Sequence, residues 1–225
     1  MVLGHYAEPN LEVIMSSSFH PPVRTLMGLG PSDVSPRVLA ASARPTIGHL
    51  DPRFVGLMDD VKRLLQYAFQ TSNELTIPLT APGSAGMEAA FVNLLERGDK
   101  VIFCQNGVFG GRMEENVEHC GATAVMVTDR RGDPVDPEKL EAAIEAHPDA
   151  RVVAFIHAET STGVQSDAET LCRLAKDAGM LVIVDAVTSL AGISPITFSN
   201  TAVEVIRART QKVQSWFLDM NLNMG

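Results

Sequence analysis

The chain has 225 residues, enough to bury one large core or two small ones. Hydrophobic residues make up 45% and charged residues 20%, an ordinary globular balance. The net charge of −9 sets nucleic-acid binding aside, because phosphate neutralisation needs clustered Lys and Arg and no basic stripe is present.

The opening, MVLGHYAEPN, has neither a basic n-region nor a long apolar core, so no secretory signal is read there. Residues 1–50, rich in Pro, Ser and Gly, are expected to form an irregular N-terminal arm over a surface. From 51 to 70 the apolar residues Phe54, Leu57, Met58, Val61, Leu64, Leu65 and Ala68 recur at helical spacing, which predicts an amphipathic helix. Short β-rich runs follow at 75–79, 101–104, 123–127, 152–156 and 181–184. Helical patterns lie between them at 85–96, 110–120, 136–146 and 167–178. Apolar strands alternating with helices predict an α/β fold, a mostly parallel sheet covered on both faces. No run approaches the length of a membrane span. The three widely spaced cysteines (Cys104, Cys120 and Cys172) and six scattered histidines suggest no metal site, and fit a reduced, cytoplasm-like compartment.

Ligands of such sheets bind at the carboxyl ends of the strands, so the residues after each run carry the functional expectation. Thr80-Ala-Pro-Gly-Ser-Ala-Gly86 opens a helix and suits a phosphate cradle at a helix N-terminus, or equally a plain strand–helix turn. Phe109, in QNGVFGG, offers a ring face to a planar ligand or fills a satellite core. The loop His157-Ala-Glu-Thr-Ser-Thr-Gly163 presents hydroxyls to a ligand oxygen, although Ser and Thr are also common turn residues. Asp185 closes the apolar strand LVIVD. It is costly to desolvate unless a cation or hydrogen-bond donors meet it. It suits a cofactor ribose, though the accompanying glycine fingerprint is missing, or a pyridinium nitrogen, or a turn cap.

From about Met27 onward the sequence resembles the class V pyridoxal-phosphate (PLP) aminotransferases, in particular their alanine–glyoxylate and serine–glyoxylate group. The resemblance rests on GLGPSDVSPRVL, IGHLDPRF, APGSAGMEAA, QNGVFGGR, HAETSTGV, VDAVTSLAGI and VQSWFLDMNL. It implies the large domain of a fold type I PLP-dependent transferase over 51–199, with 200–225 starting the connection to a smaller C-terminal domain that this chain lacks. It also implies pyridoxal 5'-phosphate as cofactor, amino acid and 2-oxo acid substrates, and a homodimer in the intact family. By this resemblance Gly83, Ser84 and Ala85 hold the cofactor phosphate and Phe109 stacks on one ring face. Thr160 bonds the phenolic oxygen, Asp185 pairs with the pyridinium nitrogen, and Val187 packs the opposite ring face. Gly30 and His49 fall near the substrate, although His49 reads equally as a surface or interface histidine.

One departure from the family pattern stands out. After VDAVTSLAGI the family continues through a strand and a Ser-Gly-[Ser/Thr]-Gln-Lys turn. Its lysine forms the Schiff base and serves as the base for the proton shift. Here Ile193 runs directly into Ser194-Pro-Ile-Thr-Phe-Ser199, which implies that a segment of roughly 25 residues is missing, more than a connecting loop. Of the five lysines, Lys62, Lys100, Lys139 and Lys176 are expected away from the carboxyl-end loops. Lys212 follows Thr-Gln as the family lysine does, yet it comes after a helical stretch, and its flanks belong downstream in the family, so it is read as a decoy. Transamination from alanine or serine to glyoxylate is the leading function. The alternative is a non-catalytic form that binds PLP without covalent capture or associates with an intact subunit. A nucleotide-dependent oxidoreductase is the weakest reading, without the fingerprint loop.

Overall fold

The computed structural model describes residues 20–26, 33–190 and 195–223. The Ile193–Ser194 junction lies outside the described residues. The arm is less irregular than expected, because Pro36–Ser42 forms a short helix, α1. Its proline occupies the first turn, where the lost N–H costs nothing, and Leu and Ala follow as helix formers. None of its residues is buried. The amphipathic stretch forms α2, Pro52–Phe69, started by the Asp51 side chain accepting from Arg53 N and ended by Gln70 in the left-handed conformation at φ 51°.

Strand β1 (Leu75–Pro78) leads through a turn into helix α3 (Gly83–Leu94). Then β2 (Lys100–Gln105), α4 (Val108–His119), β3 (Thr123–Thr128), α5 (Pro137–Ala146) and β4 (Val152–Ile156) alternate as the pattern predicted. A two-residue ladder, β5 (Ala158–Glu159) with β6 (Val164–Gln165), shapes the loop after β4. It is followed by α6 (Ala168–Asp177), β7 (Leu181–Asp185), the short α7 (Val187–Leu190), β8 (Pro195–Phe198) and α8 (Asn200–Arg207). A 3₁₀ turn covers Met220–Asn223. No helix among the described residues is long and apolar enough to cross a membrane.

The four-stranded sheet has the order β3-β2-β4-β7 and is parallel throughout, with Val101 opposite both Ala124 and Val152, and Val152 opposite Leu181. Alternation sends Val101, Phe103, Val152 and Ala154 to one core, and Ile102, Cys104, Val153 and Phe155 to a second. Met87 and Phe91 of α3, Met113 and Val117 of α4, and Ile206 of α8 belong to the first core; Leu140 of α5 and Leu171 of α6 belong to the second. All five residues of β4 are therefore buried. β1 stands apart from this sheet and pairs antiparallel with β8, Leu75 opposite Phe198.

The helix starts divide into two kinds. Asp136, Asp167 and Ser199 each cap their own helix, accepting from Glu138 N, Thr170 N and Ala202 N. By contrast, α3 begins after Pro82 and α4 after Gly107, and neither preceding residue supplies a side-chain cap. Both of these open starts lie beside the predicted site.

Candidate cofactor site

The open start of α4 is closed from another loop. Val108 N donates to Ser161 Oγ at 3.1 Å and Phe109 N donates to Glu159 Oε2 at 3.2 Å. Glu159 is only 1% exposed, and its Oε1 accepts from Ser161 N at 2.9 Å and Ser161 Oγ at 2.7 Å. Its charge sits at the positive end of a helix dipole, which offsets part of its desolvation. A glycine is required opposite it, because a Cβ at Gly107 would stand 2.3 Å from Glu159 Cγ and Cδ. The loop after β4 thus sets the position of Phe109. One turn further along α4, the Arg112 guanidinium lies 4.6 Å from the Phe109 ring centroid and donates to Ser84 Oγ at 3.3 Å, at the start of α3.

A second set of contacts joins the remaining predicted residues. Val187 packs on Gly83 so closely that a Cβ there would meet Val187 Cγ2 at 2.9 Å. Val187 N donates to Asp185 Oδ1 at 3.0 Å. The Thr160 and Thr188 hydroxyls are hydrogen-bonded to each other. His157, at the carboxyl end of β4, is held by Ser189 at 2.9 Å and Gln165 at 3.0 Å. Asp185 is half-buried, and this burial pushes its carboxyl above the usual carboxylate range. The single backbone donor from Val187 opposes that shift and the nearby Glu159 charge adds to it. No cation meets Asp185 among the described residues.

The predicted residues Gly83, Ser84, Phe109, Thr160, Asp185 and Val187 therefore belong to one connected neighbourhood at the carboxyl ends of β4 and β7. Ala85 lies in the first turn of α3, where its N–H donates to Pro82 O at 2.9 Å. His49 is exposed in the turn before α2, and no hydrogen bond ties it to this neighbourhood. Gly30 lies outside the described residues. Lys212 is exposed in the loop after α8. The adjoining Thr210 and Gln211 N–H groups donate to Glu96 Oε1 at 2.6 and 2.8 Å, beyond the far end of α3. The 12 residues of α3 separate that end from Gly83 by about 18 Å, more than a lysine side chain spans. One expectation needs correcting. Lys139 does reach a strand's carboxyl end, where its Nζ meets Asp129 at 2.7 Å and Thr128 O at 3.2 Å. That end belongs to β3, at the opposite edge of the sheet from β7.

The sequence marks Glu159 and Ser161 only as members of the His157–Gly163 loop, and gives Gly107, Arg112 and Thr188 no role of their own. Two of them carried a signal. A glutamate three residues beyond an all-apolar strand demands a partner, and Arg112 stands at i+3 from Phe109 on one helix face.

Residues 36–215 match the family model described as aminotransferase class V. The chain belongs to the class V aminotransferases. The fold agrees with that membership. The crystal structure of an alanine–glyoxylate aminotransferase from Nostoc sp. superposes with a TM-score of 0.90 at 34% identity, covering 97% of this chain and 65% of that one. The alanine–glyoxylate aminotransferase of Mus musculus is 33% identical over 199 residues, 88% of this chain and 48% of its own length. The chain thus spans about half the length of that curated relative. The Drosophila melanogaster enzyme of the same name is 33% identical over 237 positions, covering 93% of this chain and 60% of its own length. Since 93% of 225 residues is about 209, about 28 of those 237 positions have no counterpart in this class V chain.

Family membership implies pyridoxal 5'-phosphate, and the chemistry of the donor set fits that group at both ends. The start of α3 has no side-chain cap, which leaves its first N–H groups to an anion. Asp185, held above its usual range without a cation, suits the N–H of a protonated ring nitrogen.

Proposed function

We propose that this chain is the cofactor-holding part of a glyoxylate-linked transaminase, with alanine or serine as amino donor. We further propose that, as it stands, it holds pyridoxal 5'-phosphate without a covalent lysine. The observation that carries this reading is Asp185, a half-buried carboxyl at the end of β7 with one backbone donor and no cation. When bound, the cofactor supplies an electron sink for bonds at the substrate α-carbon. Asp185 keeps a proton on the ring nitrogen, which that role requires. The free N–H groups at Gly83 and Ser84 orient the phosphate on the α3 dipole. Phe109, braced by Arg112 on its ring, and Val187, braced on Gly83, confine the ring between them. Thr160 donates toward the phenolic oxygen once its hydroxyl turns from Thr188. No lysine among the described residues stands beside Asp185 to take up and return the α-proton, so the chain binds and orients without completing the exchange.

The test is a titration with pyridoxal 5'-phosphate followed by absorbance and visible circular dichroism, then borohydride reduction and peptide mass spectrometry. Saturable binding with an induced dichroic band and no retained cofactor mass is expected. Asp185→Asn should weaken binding, and Lys212→Ala should leave it unchanged. Reduction that fixes the cofactor on Lys212, or the absence of any binding, would overturn the proposal.

A further inference from the structure

The sequence of β7, Leu-Val-Ile-Val-Asp, reads as an interior strand, apolar on both faces, like its neighbour β4. Its surroundings do not match that sequence. Where β4 is buried at every position, β7 is not, and Val184 is 38% exposed. Among the described residues β7 pairs with β4 alone. Leu181 N donates to Arg151 O and His157 N donates to Asp185 O, so the odd-numbered residues of β7 face β4. Strand alternation turns the N–H and C=O of Val182 and Val184 the other way. Edge strands that face water carry a lysine, a proline or a bulge to discourage pairing. The slot-facing residues of β7 carry none of these.

Across from that edge lies a second one. Among the described residues β8 pairs with β1 on one side only, and a cavity of about 720 Å³ is lined by β7 from Leu181 to Asp185 and by β8 from Pro195 to Phe198. Met87, Ala90 and Leu94 of α3 line it from the helix layer of the first core, and Cys172 and Met180 line it from the second. A strand takes about 4.8 Å between its neighbours, about 10 Å between its covering layers and about 3.3 Å per residue, or about 160 Å³ per residue. The cavity also reaches Gly83 and Val187 of the cofactor site, and its volume is enough for one strand of at most four or five residues, the length of β8 and of β7.

We propose that the cleft between β7 and β8 is a strand-acceptor site. It takes one extended, proline-free segment of another polypeptide, four or five residues long and apolar on both faces. Main-chain hydrogen bonds to two edges at once supply the affinity, and the two apolar helix layers select the side chains. A second copy of this chain does not fit the cleft. The β7 edge of another copy arrives attached to its own sheet, whereas this cleft is walled by a strand on each side and admits a lone strand. Lys176, near the C-terminus of α6, and Asp185, the last residue of β7, both line the cavity and favour a segment flanked by one acidic and one basic residue. The positions of the Drosophila relative that have no counterpart here show that homologous chains carry additional residues within the aligned region.

The full-length chain and a synthetic peptide provide the test. The probe is acetyl-Glu-Val-Val-Ala-Phe-Ile-Lys-amide, whose centre copies β4, the strand that this fold buries on both faces. Hydrogen exchange by mass spectrometry should slow at least about tenfold in both 181–185 and 195–198 as the peptide saturates. The same peptide with proline in place of its alanine should slow neither. Protection of one strand alone, equal protection by the proline peptide, or no protection would overturn the proposal. Protection of both segments without peptide, in a chain that elutes as a dimer, would assign the cleft to a second copy and overturn it as well.

Discussion

Gly107 and Glu159 form the tightest steric constraint in the site, and substituting them tests how α4 is held. Gly107 is extended, at φ −169° and ψ −163°, so alanine suits its backbone and any cost must come from contact. That contact is severe: the new Cβ would stand 2.3 Å from Glu159 Cγ and Cδ and 2.7 Å from Oε2. Glu159 is buried on all sides and cannot swing aside without releasing Phe109 N, Ser161 N and Ser161 Oγ. Three donors left without partners cost about 1 kcal/mol each, and losing a carboxylate from the helix start adds about 0.5 kcal/mol. Gly107→Ala should therefore destabilise by about 3–4 kcal/mol. Glu159→Ala should cost a similar amount for the same reason. In the Glu159→Ala background the clash is gone, and Gly107→Ala should be neutral or stabilising by about 0.5 kcal/mol through the unfolded chain. Urea unfolding followed by far-ultraviolet circular dichroism measures all four chains, since the one tryptophan, Trp216, is exposed and a poor reporter. An equal cost for Gly107→Ala in both backgrounds would refute the account.

Burial raises the folded-state affinity of Asp185 for its proton above the unfolded reference of 3.8, so its contribution to stability is greatest below that pH and is lost as pH rises through the folded value. The stability advantage of Asp185→Asn over the parent should accordingly grow from pH 4 to pH 7, measured by urea midpoints. A flat difference would show that the carboxyl is not disfavoured by burial. Arg112→Ala removes the cation from the Phe109 ring and the contact to Ser84. Stability should fall by only about 0.5 kcal/mol, while pyridoxal 5'-phosphate affinity falls severalfold in an absorbance titration. Asn93 is fully buried, donates to Ala89 O and Leu218 O and accepts from Met220 N, clamping the segment around Leu218 to α3. Asn93→Ala should cost about 2–3 kcal/mol, read as a lowered urea midpoint with an unchanged slope.

Much of this arrangement was legible in the sequence. β4 was bounded to the residue at 152–156, because nothing but apolar side chains suits a strand covered on both faces. Helix α3 was expected at 85–96 and starts at Gly83, since a glycine–serine turn gives no propensity signal for a helix whose first turn is kept open. β8 was not recognised as a strand. Pro-Ile-Thr-Phe is short and proline-led, and its antiparallel partner β1 lies more than a hundred residues earlier, a pairing no local pattern reports. The Gly83 turn and Asp185 drew attention by their place at strand ends, whereas Val187, which packs on Gly83, entered only through the family resemblance. Glu159 was missed because its role depends on α4, whose start it caps from a separate loop.

The pairing of β1 with β8 also has a kinetic meaning. Thr76 Oγ1 and Thr197 Oγ1 meet at 2.9 Å across 121 residues of chain, and closing a loop of that length before the sheet has formed costs about 4 kcal/mol in entropy. The strands of the four-stranded sheet are joined by much shorter connections and can assemble first. The two-stranded ribbon should then be the last element to close during folding and the first to open in the folded protein. Opening that ribbon would break no ladder of the four-stranded sheet, yet it would uncover the core that Leu75, Ile196 and Phe198 share with Val101 and Phe103.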